Sequence, residues 1–271
     1  MNAQVRLPVI LQLSLIKTCL VTRDMIDRAV WNNNIGDIKM IIKKTSRCLV
    51  ALGFIVTLAA CENGPAPTRD EIVEKYPSVE VGSLRAENPE VLCPFVRMLE
   101  RSGLFDDEST LILPVSDVVN AAHEFGCASL ECRTVANIAE TAQGVGGVDI
   151  QNLHQAGSIA HAKCGLTFAA DGTQVDDEVR QATLDRLFEL SDDDGHLVYD
   201  DIEAVKLEIC ASQGVDMSAS GETEIKLIYA YLGGMDQGFV LFSDVERLLH
   251  AEMPEIKTTS WVTGSLITSV K

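Results

Sequence analysis

From about residue 87 onward, apolar residues recur at three- and four-residue intervals while strand-like alternation is scarce, the signature of amphipathic helices. The spacing predicts helices over 94–102, 116–126, 130–142, 176–190, 199–212, 220–232 and 243–251. Punctuation agrees with several of these ends. Gly103 closes the first helix, Gly126 the second, and Gly144-Val145-Gly146-Gly147 follows the third. The last is read as opening on Ser243-Asp244-Val245-Glu246, a capping box whose hydroxyl and carboxylate would satisfy two orphan amides. The expected fold class is all-α, with a single helical domain over 87–257. No internal repeat is evident, and 258–271, rich in Thr and Ser, reads as an irregular tail.

The N-terminal pattern is of another kind. Residues 40–47 are basic, Cys48 to Ala60 is an apolar run, and Leu58-Ala59-Ala60-Cys61 fits the small-residue site of a bacterial lipoprotein signal peptide. Cys61 would then be the acylated first residue of the mature chain. The run is shorter than the roughly 20 apolar residues of a spanning helix, although a transmembrane anchor or a buried helix is the alternative reading. Residues 1–39 read as an over-extended start, 40–60 as the signal peptide and 61–86 as a proline-bearing tether. Glu62 in place of Asp after the lipid cysteine points to the outer membrane. The expected location is therefore the cell envelope, facing the periplasm, with the anchor as the sole membrane contact.

Composition narrows the partners. The 271 residues are 46% hydrophobic and 23% charged, enough to bury a full core. The formal charge of −18 is uneven, because from Cys61 onward 14 basic residues face 37 acidic ones. Such a domain is repelled by phosphate backbones and anionic lipid, so nucleic acid is not an expected partner.

Five cysteines follow Cys61, namely Cys93, Cys127, Cys132, Cys164 and Cys210, so an oxidising compartment leaves at least one free or ligated. No CxxC pair occurs, which argues against a zinc site. Cys127 and Cys132 are close enough in sequence to bond locally. Cys93-Pro94 has a proline suited to the first helical position, which sets Cys93 at the N-cap beneath unpaired amides that favour thiolate. Each cysteine has the alternative of a buried structural role.

The segment Leu92-Cys93-Pro94-Phe95-Val96-Arg97-Met98-Leu99-Glu100-Arg101-Ser102-Gly103-Leu104 resembles the proximal segment of heme-thiolate peroxidases of the chloroperoxidase and peroxygenase type, with Leu92 where the family has a first proline. Three further stretches resemble that family in the same order: 148–161, ending in Ile159-Ala160-His161; 184–197, containing Asp194-Gly195-His196-Leu197; and Val245-Glu246-Arg247-Leu248. Together they span nearly all of 87–257. The resemblance implies an all-helical peroxidase domain using hydrogen peroxide, heme b held by Cys93, and a small organic or halide substrate.

The same resemblance carries departures. Where the family has Glu-His-Asp and a nearby serine, this chain has Ala160-His161-Ala162-Lys163-Cys164. The histidine remains, so His161 is the candidate for moving the peroxide proton. The oxygen ligands of the family's magnesium are lost, and a hard cation wants oxygen, so magnesium is not expected. Lys163 is a candidate counter-ion for a heme propionate, with a solvated surface lysine as its alternative. Glu222 is the candidate partner glutamate, because of Glu222 and Glu224 it lies nearer the centre of the stripe Ile225, Ile228, Tyr229, Leu232. Its alternative is an exposed first-turn carboxylate paired with Lys226. A catalytically lapsed lipoprotein, acting as a heme carrier or interaction module, is the other functional class these departures allow.

Asp192-Asp193-Asp194-Gly195 suggests a calcium loop, but with Gly195 at position 6 the first ligand falls on Leu190 and the twelfth on Asp201. A solvated turn joining two helices is the favoured reading.

Overall fold

The structure is a computed structural model, and it describes residues 64–105, 112–160, 163–168 and 172–270. The signal segment, Cys61 and His161 lie outside the described residues. The unit Pro65–Lys271 is mostly helical, and among the described residues its strands are two-residue pairs.

Order begins earlier than the tether reading placed it. Ala66 is buried and its amide donates to the Thr259 carbonyl at 2.9 Å. Thr68 and Glu71 then form a reciprocal capping box at the start of α1 (Arg69–Lys75), which buries Ile72. A helix of seven residues with one core side chain leaves little periodicity to read.

The central helices follow the sequence pattern within one or two residues. α2 is Pro94–Arg101, α3 Val115–Glu124 and α4 Ser129–Gln143. The last ends at Gly144, whose φ of 65° suits a residue without a side chain. β1 (Ile112–Leu113) and β2 (Val148–Asp149) pair antiparallel and clip the two ends of the α3–α4 hairpin together, Leu113 opposite Val148.

The second half contains a repeat that the sequence reading did not register. α5 (Asp177–Leu190) leads through a turn into β3 (His196–Leu197) and α6 (Tyr199–Ser212). α7 (Ala219–Tyr231), with the short α8 (Gly234–Gln237), leads in the same way into β4 (Val240–Leu241) and α9 (Phe242–Leu249). The strands pair antiparallel, Leu197 against Val240. Gly195 and Gly238 hold the two turns at φ 78° and 83°. Gly195-His196-Leu197-Val198-Tyr199-Asp200-Asp201-Ile202 and Gly238-Phe239-Val240-Leu241-Phe242-Ser243-Asp244-Val245 thus occupy equivalent places. These are two helix–loop–helix units joined through their loops by the β3–β4 pair.

Two expectations are corrected here. α9 begins at Phe242 with Leu241 at the N-cap, so Ser243 opens no capping box. The β4 register sets this start, because Val240 must face Leu197. The C-terminal stretch is not irregular either: Val262 bridges Cys127 and is buried, and α10 (Gly264–Ser269) follows it.

Three arginines join the halves. Arg97, wholly buried, donates from Nη1 to the Val91 and Leu92 carbonyls at 2.8 and 3.1 Å and from Nη2 to the Leu249 carbonyl at 2.8 Å. Its Nε lies 3.1 Å from Glu87, which also takes Arg180 at 2.5 Å. Arg101 reaches the His250 carbonyl at 3.1 Å. The last carbonyls of a helix lack intrahelical donors, and these guanidinium groups meet that need at the end of α9.

Candidate functional site

Cys93 occupies the N-cap of α2, in extended conformation at φ −67° and ψ 117°, with Pro94 as the first helical residue. Proline there gives up no needed amide and presets φ for the helix. Among the described residues Cys93 is the cysteine outside a disulfide, since Cys127 bonds Cys132 and Cys164 bonds Cys210. Burial pushes its thiol up, with the Glu224 carboxylate adding to that, while the Val96 amide, the Arg97 guanidinium and the Phe95 amide pull the other way. The side chain makes no regular cap hydrogen bond, and burial outweighs the pull of those amides. The metal-free thiol is accordingly a protonated, unreactive group near neutral pH.

The chain just before Cys93 is packed against the segment after Lys163. Leu92 forms a small apolar cluster with Phe168 and Val175, and the Val175 amide donates to the Pro89 carbonyl at 2.7 Å. The His154 ring is buried and lies 5.8 Å from Phe168.

Residues flanking His161 are held from both sides. The Ala160 carbonyl accepts the Ser220 hydroxyl, next to the start of α7. Cys164 is bonded to Cys210 of α6, and its amide donates to the Gln213 side chain at 2.9 Å. Ala160 is thereby tied to α7 and Cys164 to α6, and α7 also carries Glu224, whose charge acts on Cys93. Cys93 and Ala160 are far apart in sequence, and α7 meets both, Ser220 holding Ala160 and Glu224 acting on Cys93. Lys163 is exposed.

The two glutamates of α7 differ from the sequence expectation. Glu222 pairs with Lys226 at 2.7 Å, and its side chain is 44% exposed. Glu224 turns inward to Lys206 at 2.5 Å, with the lysine side chain at 0% and the glutamate at 9% exposure. The periodicity argument counted only aliphatic and aromatic positions. Gly221 is buried as well, so the inward face runs through Gly221, Ile225 and Ile228 with Glu224 beside it. A readable signal was Lys206 itself, which shares a helical face with Ile202, Val205 and Cys210 and so needs a buried carboxylate.

The Asp192 turn is closed on itself. Asp192 accepts the amides of Asp194 and His196 at 3.0 and 2.8 Å, and its second oxygen lies 3.1 Å from the His196 ring. These amides lower the Asp192 pKa. Asp201 accepts the Val198 amide at 2.8 Å. In the second loop Asp244 is buried and accepts the Glu255 and Ile256 amides at 2.6 and 3.1 Å. Among the described residues no group of three or more His, Cys, Asp or Glu is placed to hold a metal ion.

Compared with models of known protein families and with curated protein sequences, the chain matches none.

Proposed function

We propose that this chain is an envelope-anchored heme-thiolate peroxidase, with Cys93 as the axial ligand and hydrogen peroxide as the oxidant. The observation that carries the reading is the position of Cys93: it is unpaired, caps a helix that begins with proline, and lies in the field of α7. The two disulfides support an oxidising compartment, and hence export past Cys61.

The donor chemistry fits the group. A thiol at a helix N-terminus beside Arg97 is suited to become a thiolate once a cation displaces its proton, and burial keeps it protonated until then. Bound at Cys93, heme would supply the redox chemistry that splits the peroxide O–O bond, with sulfur donating electron density. His161 would take the proton from one peroxide oxygen and return it to the other. Glu224, paired with Lys206, acts electrostatically on Cys93, whereas Glu222 faces Lys226. A small organic molecule or a halide would be the reductant or acceptor.

A second reading, a peroxidase-like lipoprotein without turnover, is favoured by the polar groups themselves. Glu222 and Lys163 are turned towards solvent, and position 160 carries no carboxylate. One spectrum tests the primary reading. Ferrous protein treated with carbon monoxide should show the strongly red-shifted Soret band of thiolate ligation, absent in Cys93→Ala. A purified chain that takes up no heme, or one whose band lies where nitrogen ligation puts it, rules the reading out.

A further inference from the structure

A crevice of about 350 Å³ opens beside α1, walled by Pro65, Ile72, Tyr76 and Trp261, with Lys75 and Glu124 at its rim. Its volume is at the lower end for small-molecule sites. Both aromatic walls are set by neighbours: Tyr76 stacks on Phe125 with centroids 5.6 Å apart, and the Trp261 ring lies 4.4 Å from His123. At the rim Lys75 Nζ is 2.6 Å from Glu124 Oε2 and 5.2 Å from the Tyr76 ring centre. Both of these side chains remain about half exposed, so they are accessible to a ligand.

We propose that this crevice binds a zwitterionic phosphoethanolamine headgroup. Its phosphate pairs with Lys75, and its ammonium meets Glu124 and the faces of Tyr76 and Trp261. An ion pair at a rim presents one charge of each sign, and a ligand with opposite charges two carbons apart can exchange with both. A plain anion would meet Glu124, Glu71 and a strongly acidic domain. A plain cation gains the carboxylate and the rings, but leaves Lys75 unpaired. Aromatic rings of this amphipathic kind suit the headgroup level of a bilayer.

Position in the chain names the source of the ligand. Pro65 lies four residues after Cys61, a span of about 14 Å at full extension. Acylation of Cys61 would put the crevice within reach of the headgroup layer, so the membrane half of the proposal rests on the anchored reading. The headgroup chemistry does not.

The test uses the full chain carrying Trp31→Phe, which leaves Trp261 as its one tryptophan. Titration with glycerophosphoethanolamine should give a saturable change in Trp261 fluorescence. Lys75→Gln and Glu124→Gln should each weaken it by on the order of tenfold, as should replacing the ligand by glycerol phosphate or by ethanolamine, the scale of losing one charged contact. No saturable change, equal binding of glycerol phosphate, or unaltered binding by both variants overturns the headgroup site. Competition by phosphatidylethanolamine vesicles then assigns the membrane as source. Failure of such vesicles to compete, with the soluble headgroup still bound, overturns the membrane half. Acylation is read separately, by whether Cys61→Ser leaves the membrane fraction.

Discussion

Glu224 reaches Lys206 at 2.5 Å from one helix of the repeat to another, and the lysine is wholly shielded from water. Removing one partner strands the other. Lys206→Met or Glu224→Gln should lower unfolding free energy by about 3–5 kcal/mol, the usual result of leaving a buried charge unpaired. The double substitution Lys206→Met with Glu224→Leu should recover most of the loss. Urea midpoints at constant slope are the measurement, and a double variant as unstable as the worse single one would show that the pair is not the cause.

The Cys164–Cys210 disulfide closes a separation of 46 residues. In the chain-entropy treatment a loop of that size is worth about 4 kcal/mol. Cys210→Ala should therefore cost far more than breaking the local Cys127–Cys132 bond, whose partners are five apart. Thermal unfolding of Cys210→Ala and Cys132→Ala, each compared with the parent, separates the two.

Lys257 gives the chain a distinctive pH response. Burial pushes its pKa down to about 8, from the ordinary lysine value of 10.5, while Nζ donates to the Pro67 and Thr258 carbonyls at 2.8 and 2.9 Å. Between those two values the unfolded chain binds a proton that the folded one does not, so stability should rise with pH through that window. The ceiling is on the order of 3 kcal/mol. Burial moves Tyr199 and Tyr231 upward, which reverses the trend once phenols of the unfolded chain ionise near pH 10. Denaturation from pH 7 to 10 should show the rise, and Lys257→Met should flatten it.

On the peroxidase reading, His161→Ala should reduce peroxide turnover by on the order of 100-fold or more and leave the thiolate spectrum intact. Iron should be present without stoichiometric magnesium, and chelators should leave turnover unchanged. Turnover unaffected by His161→Ala in a heme-loaded chain would favour the carrier reading.

The long helices were legible because apolar periodicity and terminal glycines coincide, as in α4, which ends at Gly144. The capping box at Ser243 failed through a conflict between levels. Its local pattern is good, but β4 pairing fixes the helix start two residues earlier. The repeat escaped notice because calcium-loop recognition looks for acidic ligands. The second loop has Gly233 and Met235 at the first and third positions, and its Asp244 faces inward to backbone amides. What the loops retain is glycine, a strand aliphatic and a closing aspartate, a weaker signal. Site geometry was the least legible. Cys93 could be placed at its cap from Pro94 alone, but choosing Glu222 over Glu224 depended on a buried lysine from a different helix.

The Arg97–Leu249 contact spans 152 residues, and this fixes when the domain can become solid during synthesis. The ribosome delivers Arg97 together with Glu87, Val91 and Leu92, but long before the Leu249 carbonyl that completes its set, and a guanidinium N–H without an acceptor resists leaving water. Until then one arm of Arg97 lacks its acceptor, so α2 closes less tightly than in the finished domain. Arrival of α9 supplies the missing Leu249 carbonyl. A product cut short before Leu249 leaves α2 without this anchor.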